Sequence, residues 1–231
     1  MKRIMPAALA ALAAAAPAWA AERRFTVTDF DRIKVEGPFQ VTLSTGRPSA
    51  AVATGSAQSL DQVRIEVQNR TLRVRPNRNA WGGYPGEGAG PLSIAVATHI
   101  LRGATVTGSG SVEIDKAKAM RFDASLSGNG RIAVANVEAD TLTLGLIGSG
   151  TLEMGGRVKD LRASINGGGD LAAKGLIADD AVIGADTAGE VAVGVRRTAK
   201  VIATGAGDVE IIGSPACLVE AMGSGRVRCG D

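Results

Sequence analysis

At 231 residues, 45% hydrophobic but only 3% aromatic and with 31 glycines, the chain has aliphatics for a core. It lacks the rings of a large mixed α/β domain. Its formal charge is +3, from 26 basic and 23 acidic residues. Setting aside Lys2 and Arg3 of the N-terminal leader leaves 24 against 23, a balance of +1, which removes the electrostatic case for a nucleic-acid partner.

The first twenty residues read MKRIMPAALAALAAAAPAWA. A basic start, an alanine-rich apolar stretch and the small-x-small site Ala18-Trp19-Ala20 predict a signal peptide over 1–20, cut after Ala20. The apolar stretch is short for a bilayer span. No cysteine follows the cut to take a lipid, and no transmembrane segment is expected in the mature chain. The expected location is beyond the inner membrane, in the periplasm, the cell envelope or outside the cell.

Residues 21–103 predict an irregular, β-rich N-terminal lobe. Its candidate strands are Phe25–Val27, Arg32–Val35, Gln40–Leu43, Ala50–Thr54, Val63–Val67, Thr71–Arg75 and Leu92–Thr98. Asn69-Arg70 separates two alternating runs and reads as a hairpin turn. Pro76 to Pro91 is rich in Gly, Pro and Asn and reads as a long exposed loop. Its Trp81 and Tyr84 suit an interaction loop, or rings folded back over an end of the core. Arg64, Arg70, Arg73, Arg75 and Arg78 form a basic patch: a solvated strand face, or a contact for anionic envelope polymers.

Residues 104–231 carry a repeat. G-x-G recurs as Gly108-Ser109-Gly110, Gly128-Asn129-Gly130, Gly148-Ser149-Gly150, Gly167-Gly168-Gly169, a degraded Thr187-Ala188-Gly189, Gly205-Ala206-Gly207 and Gly223-Ser224-Gly225. The spacings are 20, 20, 19, 20, 18 and 18 residues. A fixed period in this range means stacked structural units. Two and four residues after each corner stand apolar side chains, from Val112 and Ile114 to Val227 and Cys229, with small or charged residues between. Two, four and six before it stand another set, ending in Ala221, Val219 and Cys217. This is the period of two of a half-buried strand.

Each unit therefore reads as strand, glycine corner, strand and short connection, too short to enclose a core alone. The fold class expected is all-β: a β-helix-like solenoid of stacked rungs with a less regular N-terminal part, together one domain over 21–231. A hairpin meander is the competing architecture. Glycine at the corner permits positive φ and lets backbone approach backbone. The lost glycine at Thr187 implies a distorted rung there. Cys217 and Cys229 flank the last corner at inward positions. In an exported chain such a pair suggests a disulfide across the core, the alternative being two buried thiols.

Phe30-Asp31-Arg32-Ile33-Lys34-Val35-Glu36-Gly37-Pro38-Phe39-Gln40-Val41, with Thr71-Leu72-Arg73-Val74 and the G-S-G repeats, resembles the head GIN domain family, catalogued as auto-transporter adhesins. The resemblance runs from about Phe25 to Arg228. It implies an all-β, β-helix-like fold in the cell envelope and brings no catalytic residues.

The best enzymatic reading is a polysaccharide lyase or hydrolase using Asp170, Glu190 and Asp208, which follow successive corners and could form an acidic edge. Ser111, Arg131, Thr151 and Arg226 share their column, as on any solvated solenoid edge. Gly167-Gly168-Gly169-Asp170 lacks the nine-residue recurrence of calcium repeats. The single histidine, His99, has no recognisable nucleophile or metal partner. No catalytic residue, cofactor or metal site is assigned. The chain reads as a non-enzymatic envelope protein presenting its surface to a glycan or an envelope protein, or as a scaffold or sensor module there.

Overall fold

The computed structural model describes residues 21–77 and 90–230. The leader, Trp81, Tyr84 and Arg78 lie outside them. The strands are β1 (Ala21–Phe25), β2 (Arg32–Glu36), β3 (Gln40–Thr45), β4 (Ala50–Gly55), β5 (Val63–Gln68), β6 (Thr71–Pro76), β7 (Ser93–Thr98), β8 (Gly103–Gly108), β9 (Ser111–Gly128), β10 (Arg131–Gly148), β11 (Thr151–Gly167), β12 (Asp170–Thr187), β13 (Val191–Ala203), β14 (Val209–Ile212), β15 (Ala216–Ala221) and β16 (Val227–Cys229). One short helix, α1 (Ala57–Asp61), follows the N-cap Ser56.

The repeat region is a β-solenoid of about six turns. Strands β9 to β13 pair in parallel with their sequence neighbours, and β14, β15 and β16 continue the stack, which excludes a hairpin meander. The expected short connection is absent: β9 to β12 each run on around the bends between successive corners. Rung length varies at the bend opposite the glycines. Register shifts fall at Val134/Val137, Glu153/Gly156 and Ala173/Ile177, while the corners stay stacked.

The two corner glycines have different duties. The first takes positive φ in the early copies, +121° at Gly128 and +116° at Gly148. The second touches the rung below: a Cβ on Gly150 would stand 2.5 Å from the Gly130 carbonyl oxygen. Hydrogen bonds tie the corners together, Ser149 N–H to Gly128 O and Thr151 N–H to Gly130 O, each at 3.0 Å. The expected distortion at Thr187 does not occur. Thr187 pairs in register with Gly167, and its buried hydroxyl donates to the Gly169 carbonyl.

The N-terminal strands join the same stack. β2 pairs in parallel with β8, and β3 with the first part of β9. Gly37, at φ +95°, is the corner of that rung, and Ser111 N–H donates to Phe39 O. One rung further, β6 pairs in parallel with β2, and β7 with β3. Antiparallel β4 and β5, joined through α1, cover this end, and β1 adds to β4. Asn69 and Arg70 both take positive φ, 51° and 58°, in the two-residue turn between β5 and β6.

The inward columns form one continuous aliphatic core from Ile33 through Leu126, Leu146 and Ile165 to Ile211. The last rung departs from the expected pattern. Cys217, Val219 and Ala221 occupy inward register yet are exposed. Burial in a solenoid needs a rung on both sides, and no described strand stacks beyond β15. Cys217 and Cys229 are bonded, with Cα atoms 6.6 Å apart, so the bridge joins β15 to β16 at an open end instead of crossing a closed core.

Candidate functional site

The acidic edge exists, but its carboxylates are engaged within the stack. Asp170 Oδ1 accepts the backbone N–H of Glu190 at 2.7 Å. Asp208 does the same two rungs on, accepting the Arg226 N–H at 2.9 Å and the Arg226 guanidinium at 3.1 Å. Those bonds, the backbone one first, hold the Asp208 carboxyl below its ordinary range. A general acid needs the opposite shift. Each acid thus receives an N–H that the corner geometry leaves facing outward.

Lys174 reaches across this edge to Glu210 at 3.1 Å and Glu190 at 3.5 Å. The Glu210 hydrogen bond is the main cause of its raised pKa. Ala192, at an outward position beside it, is buried. A shallow concavity here is lined by Thr151, Asp170, Lys174, Gly175, Glu190 and Ala192. His99 lies elsewhere, exposed, with its carbonyl accepting from Gly46 N–H. Among the described residues no group of three or more His, Cys, Asp or Glu side chains could hold a metal ion.

A second surface, at the bend opposite the glycines, was not anticipated from the sequence. Lys116 and Lys118 on β9 face Glu138 on β10, at 2.8 and 3.3 Å. Asp140 on β10 faces Lys159 on β11, at 2.7 Å. Asp179 and Asp180 on β12 face Arg196 and Arg197 on β13. The sign alternates from rung to rung, so the ladder neutralises itself. Hydrogen bonds from Lys116 and Lys118 lower the Glu138 pKa from 4.5 to about 2. The signal lay in pairs of like charge within a rung, met by the opposite sign one rung on, and it was hidden because the bend absorbs the changes in rung length.

Ion pairs also organise the N-terminal sheet. Glu66 accepts Arg64 at 2.9 Å and Arg75 at 2.6 Å, Lys34 meets Glu36 at 2.7 Å, and Arg70 meets Asp31 at 3.2 Å. The basic patch is therefore partly neutralised.

A family model described as "Putative auto-transporter adhesin, head GIN domain" matches residues 29–215. The fold is shared with a putative adhesin from Bacteroides fragilis (TM-score 0.80, 15% identity, covering 93% of this chain and 98% of that one). It is shared with a putative lipid binding protein from Parabacteroides distasonis (TM-score 0.70, 19% identity, 92% and 98%). A putative adhesin from Parabacteroides merdae is similar too (TM-score 0.65, 18% identity, 91% and 96%). Among curated proteins nothing matches this chain. At these identities the likeness carries the fold alone.

Proposed function

Because the chain belongs to the head GIN domain family of putative auto-transporter adhesins, we propose that it is a non-enzymatic, exported envelope protein. Its solenoid surface serves adhesion, binding a glycan or another envelope protein. The observation that carries the non-enzymatic part is the use of Asp170 and Asp208 to accept backbone N–H groups of the next rung. Carboxylates that bridge rungs, one with a lowered pKa, are suited to holding a surface and ill suited to proton transfer. Export rests on the leader of residues 1–20. No helix among the described residues is long and apolar enough to cross a membrane.

The test is to incubate the purified chain with labelled envelope and host polysaccharides, recording retention and chain length together. Saturable retention without shortening is the expected result. New chain ends would overturn the non-enzymatic reading. Neither signal would move the binding partner from glycan to protein.

A further inference from the structure

We propose that the outer face of β5, β6 and β2 binds an acidic polysaccharide through Arg73, Arg75 and Lys34. The ligand class is a polymer with carboxylate, sulfate or phosphate groups on successive sugars. This deepens the glycan-binding reading above and rests on it.

The register assembles the site. Arg73 on β6 stands opposite Glu66 on β5 and opposite Lys34 on β2, and Arg64 stands opposite Arg75. Like charges facing each other across strands are unfavourable. Five cations on this face, Arg32, Lys34, Arg64, Arg73 and Arg75, meet two carboxylates, Glu66 and Glu36. Glu66 is taken by Arg64 and Arg75, and Glu36 by Lys34. Among the described residues Arg73 has no ion pair. The self-neutralising ladder at the far bend shows what this fold does where charge serves stacking alone, and this face departs from that pattern.

A second observation points the same way. The Nε atoms of Arg73 and Arg75 are shielded from solvent and have no hydrogen-bond acceptor. They are the only such buried side-chain atoms among the described residues. With Nε turned inward, each guanidinium presents its terminal Nη groups outward, and those of Arg73, held beside Lys34 with no carboxylate partner among the described residues, are matched by a multivalent oxyanion. Glu36 responds to the same field: its carboxyl is lowered first by the Lys34 hydrogen bond, and further by Arg73 and Arg75.

The polymer class follows from the surroundings. Beyond Lys34 the same row continues through Thr105 and Ser125, a flat hydroxyl surface. Neighbouring strands stand about 4.8 Å apart, close to the length of one pyranose unit, so cations on β6 and β2 can meet charges on successive sugars. No exposed large apolar side chain lies on β2, β5, β6 or β8, as insertion into a lipid surface would need. No aromatic ring lies on these strands for bases to stack on.

The test compares the unaltered chain, the double variant Arg73→Gln/Lys34→Gln and the control Arg162→Gln, which removes an exposed cation from β11. Each is passed over immobilised heparin, polygalacturonate and neutral dextran, and mixed with phosphatidylglycerol vesicles. The unaltered chain is expected on heparin or polygalacturonate and not on dextran, with retention falling as salt rises. The double variant should bind at least tenfold more weakly with an unchanged or higher melting temperature, and Arg162→Gln should bind normally. Equal retention of the double variant overturns the site, as does an equal loss in Arg162→Gln. Vesicle binding without glycan retention overturns the ligand class. Retention on dextran that survives the double variant sinks this site but leaves glycan binding standing. Retention on none of the glycans removes both.

Discussion

Thr187 donates its hydroxyl hydrogen to the Gly169 carbonyl oxygen at 2.9 Å, and the same Oγ1 accepts the Gly189 N–H at 3.0 Å. One side chain thereby replaces the lost corner glycine, joining two rungs and closing the turn. Thr187→Val should strand the buried Gly169 carbonyl and the half-buried Gly189 N–H and cost about 1–3 kcal/mol. Thr187→Ser should retain most of the stability. Urea titration of both variants decides the matter, and equal losses would make methyl packing, not the hydroxyl, the important part.

Close stacking at the second corner glycine predicts a sharp positional contrast. Gly150→Ala drives a Cβ to 2.5 Å from the Gly130 carbonyl and to 2.7 Å from Leu126 Cδ2. Gly168→Ala meets nothing within 4 Å. The first should cost about 1–3 kcal/mol, the range for overpacked sites, and the second should be nearly neutral. Similar melting temperatures for the two variants would contradict the stacked corner.

Val201 and Val219 occupy neighbouring places in one inward column and pair across β13 and β15. Val201 is fully buried, whereas Val219 is 39% exposed. Val201→Asp should therefore prevent stable folding, because an unpaired carboxylate would be buried. Val219→Asp should be tolerated. If both variants fail to fold, the last rung is covered in solution.

Cys217 and Cys229 close a loop of sequence separation 12. Replacing both with Ser should cost about 2–3 kcal/mol on the chain-entropy account. Solenoid rungs lean only on their neighbours, so the loss should be local. Amide exchange should accelerate in β15 and β16 and stay slow in β10 and β11. Uniform acceleration would show that the end rung stabilises the whole stack.

Glu138 sits between Lys116 and Lys118, whose hydrogen bonds lower its pKa to about 2. Its folded value lies below its unfolded one, so its contribution is present above about pH 4.5 and is lost as pH falls toward 2. Asp180, held down mainly by the Thr198 hydrogen bond, acts in the same direction. Glu138→Gln should flatten the loss of melting temperature across that window. A carboxyl titration of Glu138 centred at its ordinary value would refute the pairing.

Much of the fold was legible because corner glycines and alternating aliphatics are local signals. Val112, Ile132 and Leu152 are buried where the period of two places them. Asn69-Arg70 was legible as a turn for the same reason. Gly37-Pro38-Phe39 was not seen as a corner, since its neighbours in the stack, β6 to β7 and β8 to β9, are distant in sequence and out of chain order.

The sequence by itself determined the rung and the period of its inward faces, and it placed the two cysteines for a bond, because each depends on residues within about one period of each other. The tertiary structure decided what depends on stacking. Parallel register turned Asp170 and Asp208 from a conceivable catalytic edge into acceptors for the next rung. It set Lys116 against Glu138 but Arg73 against Lys34, so that one charged face cancels and the other keeps its excess. It also left Val219 exposed despite its inward period, because a buried side chain needs a neighbouring rung as well as the right face.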